Sequence, residues 1–203
     1  MMNIYDIADP EFKKEISASR DLKHFPAGSV ILDINSYVNY IPLVMSGSVK
    51  VVRTEEDGRE ILLYYLTPGE SCISSILSGL AQDTSKVKAI VEEDAEILML
   101  SLSKGKEWLT KYPEWSTFVF QLYHKRFEDL VNMVNSIAFQ KVDVRLLYLL
   151  DQKSQLYKSK ELSVTHQQLA DELGITREAV SRVLKQIETE GKIKLSRNKI
   201  TLL

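Results

Sequence analysis

The sequence predicts an α+β protein: a β-rich N-terminal half, one long helix, and a small C-terminal module of helices closed by a β-hairpin. Three observations carry this expectation. Between about Val30 and Leu102, short alternating runs are punctuated by turn signals about every 8–12 residues, the rhythm of an antiparallel sandwich or barrel. Between Pro113 and Ala138 there is no Gly and no further Pro, and apolar residues recur at helical spacing. Between Thr165 and Gly191, two helix-like segments flank a single Gly174.

The β-rich half reads in order. Ser48–Val52 alternates and is rich in β-branched residues. Asp57-Gly58 is a hairpin turn in which Gly supplies the positive φ. Ile61–Leu66 follows, then a Pro68-Gly69 turn, and Lys86–Val91 and Ala95–Ser101 complete the series. In the long helix, Tyr123, Phe127, Leu130, Val134 and Ile137 recur at spacings of 4, 3, 4 and 3. That heptad seam keeps one apolar stripe facing a partner. The partner is either the β-rich half or the same helix of a second copy; a helix joining two modules of different composition favours the second. A further helix, Val142–Gln152, leads into the C-terminal module. The expected domains are residues 1–112, a linking helix 113–138, and residues 139–203.

Composition narrows the function classes. The 203 residues, 44% hydrophobic and 27% charged, suffice for one large or two modest domains with a real core. No apolar run approaches the roughly 20 residues of a membrane span, and the start, "MMNIYDIADPEFKKEI", lacks the basic-then-apolar order of a signal peptide. No membrane partner is expected. Cys72 is the only cysteine, so no intrachain disulfide can form and too few thiolates exist for a cysteine-ligated iron–sulfur cluster. A reducing cytoplasm is the expected compartment. Net charge is −2, but residues 141–203 carry 12 Lys and Arg against 8 Asp and Glu, while residues 1–140 carry 14 against 20. A basic module on an acidic body fits a nucleic-acid surface at one end, and chance unevenness would give it equally.

The C-terminal module is more specific. Leu169, Ala170 and Leu173 form the inner face of a first helix, and the small Ala170 lets a second helix approach. Gly174 takes the left-handed turn, Ile175 plugs the corner, and Thr176 caps the second helix with Glu178 near its positive end. Val180, Val183, Leu184 and Ile187 make its buried stripe. Small residue, glycine and apolar residue fall at positions 5, 9 and 15 counted from His166, the steric requirement of a helix-turn-helix rather than of a generic helical hairpin. Arg177, Glu178, Ser181 and Arg182 share the opposite face at the end that enters a DNA major groove. Arginine pairs bidentately with guanine, glutamate accepts from cytosine, and serine bonds bases or phosphate. Without the motif these residues would read as a solvated charged face. Lys192–Leu195 and Lys199–Leu202 flank a polar turn at Ser196–Asn198 and form a β-hairpin wing, from which Lys194, Arg197 and Lys199 reach flanking phosphates. Thr165, Thr176 and Lys185 complete the expected backbone contacts.

These residues resemble the Crp/Fnr family of bacterial transcription regulators, along nearly the whole chain. "ITREAVSRVLKQIETEG" looks like that family's recognition helix. Glu178, Ser181 and Arg182 match the E-x-x-S-R pattern of the Fnr-like branch, and Arg177, Glu178 and Arg182 match R-E-x-x-x-R of the cyclic AMP receptor branch. The resemblance implies a homodimer reading an inverted repeat with a TGA-containing half-site through those four residues, and RNA polymerase as a partner. "HFPAGSVILDINSYVNYIPLVMSGSVKVVRTEEDGREILLYYLTPGES" is similar to the family's double-stranded, jelly-roll-like β-roll, the cyclic-nucleotide-binding-domain fold, with Gly28, Gly47, Gly58 and Gly69 at turns. Pro113–Ala138 corresponds to its dimerisation helix.

The ligand pocket departs from the family. Cyclic AMP binders carry G-E-L and then R-S-A, whose glutamate holds the ribose and whose arginine neutralises the phosphate. Here "ESCISSIL" and "DTSKVKA" stand there, with Ser75 at the glutamate's place and Asp83 at the arginine's. A carboxylate beside a phosphate is repulsive. Lys86 and Lys88 share a face directed outward, so weak or no cyclic AMP binding is expected. The candidate effector pocket is Gly69, Glu70, Ser71, Cys72, Ser74, Ser75, Asp83 and Thr84. The family's iron–sulfur sensors need four cysteines. Cys72 lies near a haem-binding branch's thiolate, though no histidine follows; the simpler reading is a half-buried apolar residue. No cofactor is expected.

Three functions compete for these features. The leading one is a DNA-binding regulator responding to a signal at the β-domain. The alternative is a ligand-binding module, a haem or redox sensor through Cys72, with little DNA role. An enzyme is not expected: Cys72 and the dispersed His24, His124 and His166 form no nucleophile–base pair, and there is no phosphate loop or metal-ligand spacing.

Overall fold

The computed structural model describes residues 7–18, 21–54, 60–139, 141–196 and 199–203, the side chains of 136–139 excepted. The chain divides into two compact units, one drawn from residues 1–54 and 63–130, the other from 55–62 and 131–203.

The first unit is built on two long antiparallel strands, β3 (Tyr40–Thr54) and β5 (Lys88–Ser101), paired from Tyr40 opposite Ser101 to Val52 opposite Lys88. Short strands β1 (Leu22–Phe25) and β2 (Val30–Leu32) pair with β5, and β4 (Glu60–Leu66), whose residues 63–66 belong to this unit, pairs with β3. The register slips between Val44 and Val49. Such bulges bend and twist a ribbon, so one pair of strands serves two cores. Gly47 sits at the slip with φ 76°, and a Cβ there would stand 2.2 Å from the Asp94 carbonyl oxygen. The two runs expected at 86–91 and 95–101 lie almost wholly within the single strand β5, because the slip absorbs the polar interruption at Glu92–Asp94. The Asp57-Gly58 turn lies outside the described residues.

One core lies between the strands and gathers Val44, Val49, Val51, Leu66, Ala89, Val91 and Ile97. The other joins Ile41, Leu43 and Leu100 to the helices. Three of those helices carry no strong local signal: α1 (Pro10–Ala18), α2 (Ile73–Ala81) and α3 (Leu102–Lys111). The α2 segment, ISSILSGLA, is rich in poor helix formers. It is helical because Ile73 and Ile76 are driven into the second core. The long helix α4 spans Pro113–Phe139, opening on a proline at the position that needs no amide donor. Its first turns send Trp115, Phe118 and Leu122 inward. There Trp115 stacks on Phe118 at 5.4 Å and meets Trp108 edge-on at 5.6 Å. Phe12 of α1 stacks on Tyr112 at 4.4 Å.

Glu15 of α1 ties the helix down. Its carboxylate accepts from Trp108 Nε1 at 2.6 Å, Lys111 Nζ at 2.5 Å and Tyr112 Oη at 2.9 Å. The hydrogen bonds from Lys111, Trp108 and Tyr112, in that order, lower its pKa from 4.5 to about 2. A carboxyl depressed in the folded state contributes stability that is complete above its unfolded pKa and is lost as pH falls through the folded one. The α1 contact is therefore expected to weaken between pH 4.5 and about 2. Tryptophan fluorescence should report a transition there, and Glu15→Gln should remove it; a transition unchanged in the variant would assign it elsewhere.

In the second unit, α5 (Val142–Leu156), α6 (His166–Leu173) and α7 (Arg177–Thr189) pack together over a small sheet of order β6-β8-β7, namely Glu161–Leu162, Lys199–Leu202 and Ile193–Ser196. The β7–β8 pair is the expected wing, with Ser196 opposite Lys199. β6, too short to show a period, adds a third strand through Leu162 opposite Ile200. Leu146, Leu150, Leu169, Ala170, Val180, Leu184 and Ile187 are fully buried. Each of the Leu, Val and Ile side chains among them is worth about 1.5–3 kcal/mol on burial.

Candidate nucleic-acid interface and effector pocket

The turn between α6 and α7 is set by local chemistry. Gly174 takes φ 66° and ψ 36°, and Ile175 N returns to Ala170 O at 3.0 Å. Arg145 of α5 donates from Nη2 to Leu173 O at 2.9 Å, satisfying a carbonyl the helix leaves open. Thr176 Oγ1 accepts from Ala179 N at 3.2 Å and starts α7. Val180, Leu184 and Ile187 are then buried, and Val183 and Leu173 are partly exposed rather than buried as the stripe suggested. Arg177, Glu178 and Arg182 are exposed, and Ser181 is half-buried because its hydroxyl lies 2.8 Å from His166 Nδ1.

The residues expected at the DNA backbone are placed as follows. Thr165 forms a capping box with Gln168: its Oγ1 accepts from Gln168 N at 3.1 Å and donates to Gln168 Oε1 at 3.0 Å. That leaves its hydroxyl no proton for a phosphate. Lys185 and Lys194 are exposed. Lys199 is exposed and ion-paired with Glu161. Arg197 lies outside the described residues.

On α4, Tyr123, Phe127, Leu130 and Val134 are 51, 54, 53 and 57% exposed, an apolar stripe along one face. Phe120, 72% exposed and three residues before Tyr123, extends it at the same spacing; a longer window would have included it. Ile137 lies outside the residues whose side chains are described.

The effector residues separate into groups. Glu70 is 4% exposed and is the hub of one. Its carboxylate accepts from Thr67 N at 3.0 Å and Thr67 Oγ1 at 3.2 Å, is ion-paired with Lys125, and stands 3.2 Å from Arg126 Nη2. Burial pushes its pKa up, but Arg126, Lys125 and the Thr67 amide outweigh this and hold it below its usual value. The buried Arg126 guanidinium lies 4.1 Å from the Tyr64 ring centroid and bonds Asp129 at 2.8 Å. Tyr64 Oη approaches Cys72 Sγ at 3.9 Å, and Ser74 hydrogen-bonds the same phenol. Burial, then the neighbouring thiol, pushes that phenol well above its ordinary pKa. Tyr64, Lys125, Arg126 and Asp129 carry no motif in the sequence. Cys72 is 0% exposed, not half-buried, so its sulfur offers no open face to a haem.

The other residues point to different surroundings. Gly69 makes the turn with φ 88°. Ser71 is buried and donates to Pro42 O at 2.7 Å. Ser75 is buried and lines a cleft with Val38, Tyr40 and Met99. Asp83 and Thr84 are not part of the Glu70 cluster's contacts: Asp83 is exposed and pairs with Lys86 at 3.2 Å. The Thr84 amide and Lys86 hold Asp83 below its usual pKa, so it is a carboxylate. Thr84 bridges to Tyr37. Among the described residues no cluster of His, Cys, Asp or Glu is set to hold a metal ion, and no helix is long and apolar enough to cross a membrane.

The comparisons agree with this architecture. Residues 22–112 match the cyclic nucleotide-binding domain and residues 144–203 match the Crp-like helix-turn-helix domain. The chain is 27% identical over 171 residues to the cyclic AMP receptor protein of Thermus thermophilus, covering 84% of this chain and 78% of that protein. It is 25% identical over 180 residues to the cAMP-activated global transcriptional regulator CRP of Haemophilus influenzae, covering 85% and 79%. A crystal structure of a Crp/Fnr-family regulator from Eubacterium rectale superposes with TM-score 0.85 at 27% identity, over 100% of this chain and 94% of that one. Regulators of this kind bind DNA, act as dimers and are not enzymes. With both domains matched in chain order and a whole-chain structural likeness, this protein belongs to the Crp/Fnr family of transcription regulators.

Proposed function

We propose that the protein acts as a homodimer on an inverted-repeat operator, reading bases with Arg177, Glu178, Ser181 and Arg182 and touching phosphates with Lys185, Lys194, Arg197 and Lys199. The observation that carries this is the division of α7: Val180, Leu184 and Ile187 are buried while Arg177, Glu178 and Arg182 are exposed at its N-terminal end. That end is the one a helix-turn-helix places in the major groove. The exposed stripe of α4 is the dimer seam. Residues 1–112 form the sensor, 113–138 the dimerisation helix, and 139–203 the DNA-binding domain, with a hinge near residues 138–144. The protein works in the cytoplasm and engages RNA polymerase.

The signal enters at the cluster around Glu70, and cyclic AMP is not that signal. Support comes from Asp83, an ionised carboxylate at the place the resemblance gives to a phosphate-binding arginine, and from Glu70, whose oxygens are already engaged by Thr67, Lys125 and Arg126. A signal shifts the balance between two arrangements only by binding them differently.

One titration tests the whole reading. The protein is expected to select an inverted repeat from a random duplex pool, and its affinity to fall with salt at a slope near −0.9 per phosphate contacted. Millimolar cyclic AMP should leave the curve unchanged. Absence of salt-dependent binding would remove the DNA reading; tightening by cyclic AMP would remove the effector reading alone.

A further inference from the structure

Ser75, in the first turn of α2, is 1% exposed, and its hydroxyl has no hydrogen-bond partner among the described residues. Buried hydroxyls in native proteins are almost always bonded, because leaving water without a replacement partner is costly. Ser75 also lines a cleft of about 420 Å³. That volume falls in the range of small-molecule sites, roughly 300–1,000 Å³. Glu70, Lys125 and Arg126 do not line it, so it is separate from the cluster proposed above as the point of signal entry.

The lining defines a chemistry. Val30, Val38, Pro42 and Met99 give it apolar surface. Tyr37 and Tyr40 add two rings that are 74 and 46% exposed, flat faces left open to a second flat group. No cation lines the cleft among the described residues, and Asp33, an exposed carboxylic acid, does. An anion therefore meets no counter-charge here. The wall is already in place before a ligand arrives. The loop between β2 and β3 is fastened to the segment after α2: Asn35 N donates to Ser85 O at 2.8 Å, Ser85 N donates to Ser36 O at 2.9 Å, and Tyr37 bridges to Thr84. A site built in advance loses little ordering entropy on binding.

We propose that this cleft binds an uncharged, mostly apolar aromatic molecule whose single carbonyl or hydroxyl group completes the hydrogen bonding of Ser75. A serine hydroxyl both donates and accepts, so either group satisfies it. The neighbours of Ser75 on α2 give the site a consequence. Ile73 and Ile76 share a core with Trp115 and Phe118 of α4. A ligand bonded to Ser75 thus acts on the helix that packs against the first turns of α4.

The test uses the full-length protein and three probes of one skeleton: 2-acetylnaphthalene, the hydrocarbon 2-isopropylnaphthalene and the anion 2-naphthoate. Equilibrium dialysis should show saturable binding of the ketone, about tenfold tighter than either of the others, the worth of one net hydrogen bond. Ser75→Ala should weaken the ketone about tenfold and leave the hydrocarbon unchanged. It should also raise the melting temperature of the ligand-free protein, since an unbonded buried hydroxyl has been removed. Tyr37→Ala, at an exposed position the fold does not depend on, should weaken ketone and hydrocarbon alike. Four results would each overturn the proposal: no saturable binding of the ketone, naphthoate binding as tightly as the ketone, ketone affinity unchanged in Ser75→Ala, or ketone affinity unchanged in Tyr37→Ala. A lower melting temperature in Ser75→Ala would do so as well, by showing that the hydroxyl is already bonded. None of these measurements involves DNA, so the operator reading stands or falls separately.

Discussion

Arg182→Ala is expected to abolish specific operator binding while leaving the protein folded and dimeric. The Arg182 side chain is exposed and lies off the stripe that holds α7, which is made by Val180, Leu184 and Ile187. Removing it therefore costs the fold little. A guanidinium set bidentate on guanine is worth about 1–3 kcal/mol of discrimination. A dimer uses it twice, so the loss is about 2–6 kcal/mol, or roughly thirtyfold to more than ten-thousandfold in affinity. Anisotropy titrations against the selected operator and a scrambled duplex separate the outcomes. Operator affinity should fall to the level of the scrambled duplex. An equal fall for both would make Arg182 a phosphate contact, and unchanged operator binding would show that the reading face lies elsewhere.

The second large effect is expected from Leu130→Glu combined with Val134→Glu, which should convert the dimer to monomers. Both side chains are more than half exposed in the single chain, on a stripe that runs from Phe120 through Tyr123 and Phe127. Such an apolar row on a long helix is costly in water unless a partner covers it. A symmetric seam buries each residue twice. At about 1.5–3 kcal/mol per aliphatic side chain the lost burial alone exceeds 4 kcal/mol, about a thousandfold in dimer affinity, before like-charge repulsion is added. Analytical ultracentrifugation should show a monomer at concentrations where the wild type is dimeric, with circular dichroism unchanged. Affinity for an inverted repeat should fall with it, because the second half-site is no longer held at high effective concentration. A variant that remains dimeric would place the interface away from α4.

The proposed point of signal entry has a physical connection to that helix. Glu70 follows the turn after β4, and its cationic partners Lys125 and Arg126 lie on α4. Anything that competes for the Glu70 carboxylate or the Arg126 guanidinium acts on α4 directly. A buried charge that loses its partner is strongly destabilising, so this cluster offers a ligand considerable leverage.

The helix-turn-helix was legible because each position answers a local steric demand: Ala170 for close approach, Gly174 for the left-handed turn, Thr176 for the cap, Val180 and Leu184 for burial. These demands recur at fixed spacing and need no knowledge of distant residues. The same holds for α4, whose 27 residues contain no glycine and whose only proline stands at its start, and for the wing strands. Locality also explains the errors. α2 reads as poor helix and forms only because the core accepts Ile73 and Ile76. The candidate pocket followed the resemblance, which sets Asp83 and Thr84 with Glu70; in the structure Asp83 pairs with Lys86 and Thr84 bridges to Tyr37, while Glu70 meets Thr67, Lys125 and Arg126.

By itself, then, the sequence determined the order of modules, the motif that faces DNA and the apolar stripe of the long helix, since period and turn chemistry are properties of neighbouring residues. Only the tertiary structure decided that Glu70 meets Lys125 across 55 residues of chain, that Cys72 is sealed beside Tyr64, and that His166 touches Ser181. Those pairings depend on how bulged strands and packed helices return the chain to itself, and no local pattern records that return.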